Sequence, residues 1–380
     1  MHHLGILPGL FDPIHLGHVE IAQTAFEQFS LSGVVLVPVN KDGVRNIASL
    51  RQRQHMVQLA TNSYPSLSLF TPSSFTSTAT ACDYGVLIKN IRYSFSGIHL
   101  WLIIGAHEVD NLLQGDTRDL KNIDLLLWPR VGDRVNNAIH KCKARGLNAY
   151  ALNPRKISPD SHTVRLAIRH MIADEGTLHP DVIRYIADTG LYLPGSEKKL
   201  QKVVTPSRYL HSLSVRETAV ELAFIHQINP FKCSVAGLMH DYAKNMPLKE
   251  MQRIAKKHGL TSDKKTLRSG ALLHGLVGAH LCKQKFGIRD EEILSAIRYH
   301  TVGRPNMTDV ELCIFVADVI EPKRRPFEGL ANIRQVARKS LRQAAILCLE
   351  SARKFILASG EEYFTQSLDA LENLINAASN

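Results

Sequence analysis

The second half of the chain carries an ordered series of metal-ligand side chains: His211, the adjacent pair His240-Asp241, His274, His300 and Asp318. Several imidazoles with a few carboxylates suit iron, manganese or similar ions better than magnesium. Each member lies within, or at the end of, an apolar stretch with helical spacing, whose apolar face should turn to a bundle core. Buried ionisable groups are costly unless paired or metal-bound, so the series predicts one site rather than separate solvated residues. Neighbours on a helix project about 100° apart, so His240 and Asp241 are expected to point in different directions, with Asp241 free to bridge ions through its two oxygens. Two ions about 3.5–4 Å apart can together polarise a phosphoryl group and generate a hydroxide nucleophile. Lys244, one turn beyond His240, is a candidate to reach a substrate phosphate or a metal-bound water, as are Thr301 and Arg304. His226, His258 and His280 are expected to be ordinary helix residues.

The first half has a different chemical segment, Pro8-Gly9-Leu10-Phe11-Asp12-Pro13-Ile14-His15-Leu16-Gly17-His18. It follows a strand-like run. Gly9 lets backbone approach a phosphate, and Asp12-Pro13 makes a turn and a helix start. His15 and His18, three apart, lie on one face of the first helical turn, where the dipole already favours phosphate. Two imidazole donors there can stabilise a triphosphate as charge moves to leaving pyrophosphate, with Mg²⁺ and positioning supplying the rest.

The elements that must hold these residues divide the chain in two, as its 380 residues lead one to expect. Leu4–Leu7, Val34–Val37, Leu67–Phe70, Leu100–Ile104 and Leu125–Trp128 read as strands, with helical spacing over Val19–Phe29, Arg51–Ala60 and Tyr84–Ile91. The alternation predicts an α/β, doubly wound parallel sheet over residues 1–195, binding ligands at the carboxyl ends of its strands. From about residue 200 helical spacing takes over in Val215–Ile225, Ala271–Phe286, Glu291–Tyr299 and Val310–Ile320, predicting an all-α bundle over 200–380. The last fifty residues read as two more helices with Gly360 between them.

Composition narrows the partners. No apolar run approaches the roughly 18–20 residues needed to span a bilayer, and Met1-His2-His3-Leu4 lacks a signal-peptide pattern. The expectation is a cytoplasmic protein with no membrane partner. Cys82, Cys142, Cys233, Cys282, Cys313 and Cys348 are scattered singly, so neither a zinc ribbon nor a disulfide scaffold is indicated. The net charge of +11 favours anions. With no basic stripe interleaved with aromatics, phosphorylated small molecules are expected rather than nucleic acid. Oligomeric state is left open.

Two resemblances sharpen this. Arg208-Tyr209-Leu210-His211-Ser212, Ala236 through Lys244, Leu273-His274-Gly275 with Gly278-Ala279, Ala296 through Thr301, and Ala317-Asp318-Val319-Ile320-Glu321-Pro322 resemble the YqeK family of HD-superfamily hydrolases over about residues 203–360. The resemblance implies symmetrical hydrolysis of diadenosine tetraphosphate to two ADP at a di-iron centre. His211, His240, Asp241 and Asp318 would hold one ion; His274 and His300 would hold the second, with Asp241 shared.

Residues 4–193 resemble the H-x-G-H nucleotidyltransferases, specifically bacterial nicotinate-nucleotide adenylyltransferase. Beyond the first motif the matches are Ile103-Ile104-Gly105-Ala106, Arg130 with Gly132, Val164-Arg165, and Pro180-Asp181-Val182 through Gly190-Leu191-Tyr192. This implies adenylyl transfer from ATP, with Mg²⁺, to nicotinate mononucleotide. Gly9, Phe11, Gly105 and Arg130 would line the nucleotide site, His15 and His18 would serve the phosphates, and Ser161 and Arg165 would hold the triphosphate. The sequence departs from that family at Pro8 and Leu10, at Arg45 in place of a proline-histidine-lysine loop, at Ala79-Thr80-Ala81, at His107, and at Asp160-Ser161-His162. A second reading therefore gives the first half another acceptor, or makes it a nucleotide-binding module without turnover beside an active hydrolase.

Overall fold

The computed structural model describes residues 2–40, 46–71, 84–130, 132–154 and 160–377. They fall into two compact units, Met1–Tyr185 and Ile186–Asn380.

The first unit is built on six parallel strands: β1 (His3–Gly9), β2 (Gly33–Pro38), β3 (Leu67–Leu69), β4 (His99–Gly105), β5 (Asp124–Trp128) and β6 (Asn148–Ala151). Their order is β3-β2-β1-β4-β5-β6. Its helices are α1 (Leu16–Gln28), α2 (Leu50–Thr61), α3 (Tyr84–Ser94), α4 (Val109–Gln114), α5 (Val135–Ala144) and α6 (Ser161–Arg169), and the boundary between the units falls within α7 (Pro180–Thr189). Apolar runs such as Leu125–Leu127 and Leu102–Ile104 are buried, as expected where a parallel sheet is covered on both faces. The doubly wound sheet thus agrees with the alternation in the sequence. β6 was not anticipated; it is four residues long and partly exposed, too short to give a periodic signal. The order reverses between β1 and β4, whose carboxyl ends open the crevice where such sheets take ligands.

The second unit is helical: α8 (Glu197–Gln201), α9 (Pro206–Ile225), α10 (Pro230–Met239), α11 (Leu248–His258), α12 (Lys264–Arg268), α13 (Gly270–Phe286), α14 (Glu291–Tyr299), α15 (Asp309–Ile320), α16 (Leu330–Ala337), α17 (Leu341–Ala358) and α18 (Thr365–Asn376). Sequence-local chemistry sets many of the starts. Thr205, Asn229 and Asp290 cap α9, α10 and α14 with their side chains, Pro206 and Pro230 occupy first turns, and Thr308 and Glu311 form a capping box on α15. Gly360, at φ +74°, separates α17 from α18 as expected. α16 adds a third helix to the two anticipated in the carboxyl-terminal stretch. No helix among the described residues is long and apolar enough to cross a membrane.

Two glycines set the spacing at the core of this unit. A Cβ on Gly275 of α13 would lie 2.6 Å from the Arg298 carbonyl oxygen of α14, and one on Gly237 of α10 would lie 3.0 Å from Cα of Arg216 in α9. Any side chain there would push backbone against backbone. Of the cysteines, Cys142, Cys233, Cys282, Cys313 and Cys348 are buried free thiols; Cys82 lies outside the described residues.

Candidate metal centre and nucleotide cleft

The close helix packing brings the histidines and aspartates of the second unit to one point. His211 projects from α9, His274 from α13 and Asp318 from α15, while His240 and His300 are the residues that end α10 and α14. His240, Asp241, His274 and His300 are buried, none more than 3% exposed. Asp241 is the hub. Its Oδ1 lies 3.1 Å from His274 Nε2 and 3.5 Å from His300 Nε2, and its Oδ2 lies 3.3 Å from His240 Nε2 and 3.8 Å from His211 Nε2. Asp318 Oδ1 lies 2.9 Å from His211 Nε2 and 3.8 Å from His240 Nε2. His240 and Asp241 therefore converge, against the helical expectation, because α10 stops at Met239 and Asp241 belongs to the turn that follows.

Two overlapping groups, His211 with His240 and Asp318, and His240 with Asp241 and His300, bring their ligand atoms within 4.8 Å of one another. Every imidazole is anchored through Nδ1: His240 to the Gly237 carbonyl at 2.7 Å, His274 to the Gly270 carbonyl at 3.2 Å, His300 to the Ile297 carbonyl at 2.8 Å, and His211 to Glu321 Oε1 at 3.3 Å. Assigning the ring proton to Nδ1 in each case leaves every Nε2 lone pair facing inward. Nε2 of His211, Nε2 of His240 and Oδ1 of Asp241 are buried and make no hydrogen bond among the described residues. A pocket of converging lone pairs and carboxylates fits cations, and outward anchoring of Nδ1 is the usual support for metal-binding histidines.

The charges agree. Burial would raise the carboxyl of Asp241, but His240, His274 and His300 outweigh it and hold the group well below the carboxylate range. Asp318 is likewise lowered, against burial, by His211 and His240. Burial lowers His240, yet Asp241 and Asp318 prevail and raise it; His274, with burial dominant, is lowered to about 4.

Around the rim, Lys244 Nζ lies 3.3 Å from His274 Nε2 and 3.8 Å from Asp241 Oδ1, and the Thr301 hydroxyl lies 3.1 Å from His300 Nε2. Arg304 is committed elsewhere: its Nε and Nη2 each donate to buried Glu311 at 2.7 Å. Two participants had not been singled out from sequence. Arg208 donates to Asp241 Oδ2 at 2.7 Å, and Glu321 backs His211; both stand in the quoted motifs, at three residues from a ligand. His226 instead meets the Ala337 carbonyl at 2.7 Å, and His258 and His280 stack on each other at 4.2 Å.

In the first unit a cleft of about 330 Å³ opens at the ends of β1 and β4. Gly9, Phe11, His18, Gly105, Arg130, Ser161 and Arg165 all line it. The His15 and His18 rings lie 3.7 Å apart, and the His15 backbone N–H donates to His18 Nδ1 at 3.2 Å, which puts the proton of a neutral His18 on Nε2. Burial lowers His15 to about 4 and, with His15 and Arg130 adding to it, takes His18 well below the usual histidine range. Both rings are therefore neutral; His18 lines the cleft, whereas buried His15 is not among its lining residues.

The glycines of this cleft serve its own side chains. The space above Gly9 is taken by the Phe11 ring, 2.9 Å from where a Cβ would sit, and that above Gly105 by the His107 ring. Phe11 itself holds a left-handed φ of +48° while buried edge-on against His18, a strained conformation of the sort found at functional sites. Ser161 Oγ donates to the Pro13 carbonyl at 3.2 Å and Arg165 to the Asp12 carbonyl at 2.5 Å, so both brace the histidine loop. Fully buried Arg53 does so too, donating to the Leu10 and Val39 carbonyls. Trp128, paired in register with Gly105, faces His107 and lies under Arg130 at 5.5 Å. Its place at a strand end was the signal for it. Arg45 and Ala79-Thr80-Ala81 lie outside the described residues.

Comparison with known proteins divides along the same line. A cytidylyltransferase-like family model matches residues 6–126 and an HD domain model matches residues 208–323. The symmetrical bis(5'-nucleosyl)-tetraphosphatase of Bacillus subtilis is 38% identical over 165 residues, 43% of this chain and 88% of that one. A probable nicotinate-nucleotide adenylyltransferase of Trichormus variabilis is 28% identical over 211 residues, 52% of this chain and all of that one. A Mycoplasma genitalium protein described as a probable nicotinate-nucleotide adenylyltransferase/Ap4A hydrolase is 25% identical over 371 residues, 92% of this chain and 98% of its own. With its lone-pair pocket assembled from the motifs of that half, the chain belongs, through its HD domain, to the family of symmetrical bis(5'-nucleosyl)-tetraphosphatases, and it joins to this a cytidylyltransferase-like domain with nicotinate-nucleotide adenylyltransferase relatives.

Proposed function

We propose that the protein is a bifunctional cytoplasmic nucleotide enzyme, hydrolysing diadenosine tetraphosphate symmetrically to ADP in its second half and transferring AMP from ATP to nicotinate mononucleotide in its first. The observation that carries the hydrolase is the set of four Nδ1-anchored imidazoles turning their Nε2 atoms onto Asp241 and Asp318. His211, His240, Asp241 and Asp318 would hold one transition-metal ion, iron or manganese, and His274 and His300 a second with Asp241 shared. Such ions supply Lewis-acid polarisation of a phosphoryl oxygen and a water made nucleophilic near neutral pH. Lys244 and Thr301, at the rim, are placed to bind phosphate oxygens and orient the central anhydride, whose cleavage between the two inner phosphates releases two ADP.

In the first half, neutral His15 and His18 donate to the triphosphate at the start of α1, where the helix dipole adds to them. ATP enters with Mg²⁺, and attack by the mononucleotide phosphate on the α-phosphorus expels pyrophosphate. Arg165 and Ser161 hold the histidine loop and α6 together beneath the phosphates. A second reading is favoured by the cleft's own occupants: Leu10 offers no hydroxyl, and His107 fills the space over Gly105. It gives the domain a different acceptor or no turnover.

The deciding experiment incubates the full chain with ATP, Mg²⁺ and nicotinate mononucleotide, and separately with diadenosine tetraphosphate and Mn²⁺ or Fe²⁺. Dinucleotide with pyrophosphate, and ADP as sole nucleotide product, are expected. Formation of ATP with AMP, or no hydrolysis with any metal, sinks the hydrolase reading. No dinucleotide leaves only the second reading of the first half.

A further inference from the structure

The four inward-facing imidazoles are not supported alike. His240, His274 and His300 rest Nδ1 on main-chain carbonyls, whereas His211 rests on a carboxylate, Glu321 Oε1 at 3.3 Å. Glu321 is 2% exposed, although it closes α15 three residues after Asp318. Its other oxygen accepts from the Ser214 hydroxyl at 2.7 Å and from the Lys323 backbone N–H at 2.7 Å. Ser214 lies one turn along α9 from His211, so a single carboxylate ties the helix of His211 to the end of the helix of Asp318. Its own backbone is clamped as well, since Arg334 donates Nε to the Ile320 carbonyl and Nη2 to the Glu321 carbonyl, both at 2.9 Å. A carboxylate held by that many donors cannot turn away without leaving several of them unpaired in the interior.

From this we infer that Glu321 is a positioning residue for His211: it fixes the ring tautomer, strengthens Nε2 as a donor atom, and gives the His211–Asp318 end of the centre the more tightly held ion. The inference rests on the metal-centre reading above. A carboxylate accepting Nδ1–H makes the opposite nitrogen more basic than a peptide carbonyl does, and loss of such a partner typically weakens metal binding about 10–100-fold. The two ions should then load in order, with the one beside His211 and Asp318 first.

The test is a titration of the metal-free full-length chain with Mn²⁺, read by the electron paramagnetic resonance signal of free Mn²⁺ and by thermal unfolding without metal. Wild-type protein should take up two ions per chain in unequal steps. Glu321→Gln should keep one step unchanged and weaken the tighter one about 10–100-fold. Glu321→Asp, which keeps the charge but retracts it by one methylene, should fall between them, and it decides the matter should the glutamine variant not fold. Both steps unchanged in a folded variant would overturn the proposal and reduce Glu321 to a structural tie. A wild-type chain that binds no Mn²⁺, Fe²⁺ or other transition ion would instead overturn the metal-centre reading, and this proposal with it.

Discussion

Nε2 of His274 and Nε2 of His300 lie 3.0 Å apart while both rings hold their Nδ1 against backbone carbonyls. Two neutral imidazoles so anchored turn their lone pairs toward each other, an arrangement that a shared cation would hold together. Lys244 lies 3.3 Å from the first and the Thr301 hydroxyl 3.1 Å from the second, so the rim supplies each lone pair with one donor and an ion would replace both. His300→Ala in the full chain should therefore lower diadenosine tetraphosphate hydrolysis by more than about 100-fold and remove one of the two bound ions, as measured by product chromatography and metal analysis.

Asp241 faces both ends of the centre and also receives Arg208. Asp241→Asn removes the charge that draws four imidazoles and one guanidinium together, so both ions should be lost and hydrolysis should fall to background. Adenylyl transfer by the same preparation should be unchanged. Persistence of hydrolysis with no bound transition metal would sink the assignment.

His18→Ala should do the reverse. It removes a neutral donor from the phosphate end of the cleft, for which a loss of about 10²–10³ in kcat is expected, with tetraphosphate hydrolysis intact. Initial rates of pyrophosphate release measure the first effect.

His15 gives a pH signature. Its folded-state value of about 4, set by burial, lies below the ordinary 6.5, so the unfolded chain binds more protons than the folded one between those values. Stability should then rise with pH through that window and be lost as pH falls from about 6.5 toward 4. In His15→Gln the acid-side loss of melting temperature of the first unit should be shallower than in wild type. Parallel curves would show that His15 is not buried in neutral form.

Chelation should act on the second unit alone. Removing the ions uncovers repulsion among Asp241, Asp318 and the Nε2 lone pairs, and it withdraws the stabilisation that a native-state ligand provides. The helical unit should melt at lower temperature after chelation and recover on adding Mn²⁺ or Fe²⁺, while the first unit's transition stays in place.

Much of this was legible in the residues themselves. The strands of the first unit are continuous apolar runs, and the metal-ligand types of the second fall on apolar helices in an order that chance rarely supplies. What escaped depends on distance along the chain. The partner of Glu321 is His211, 110 residues away, and no local pattern announces that pairing. Convergence of His240 with Asp241 required knowing that α10 ends at Met239. β6 and α16 are short, so their periodicities carry little signal. A second demand on Gly9 escaped for a related reason: the ring that fills the space over it belongs to Phe11, whose left-handed backbone cannot be read from composition.

Gly275 and Gly237 give the centre a gauge. Because α13 meets α14, and α10 meets α9, at main-chain contact distance, the spans from His274 to His300 and from His211 to His240 are set by peptide against peptide. An ion entering there meets a frame that does not widen to suit its radius, since a close-packed interior yields little. Exchange among ions of similar size should leave the frame as it stands, whereas a single added methyl at residue 275 would alter the aperture without touching a ligand.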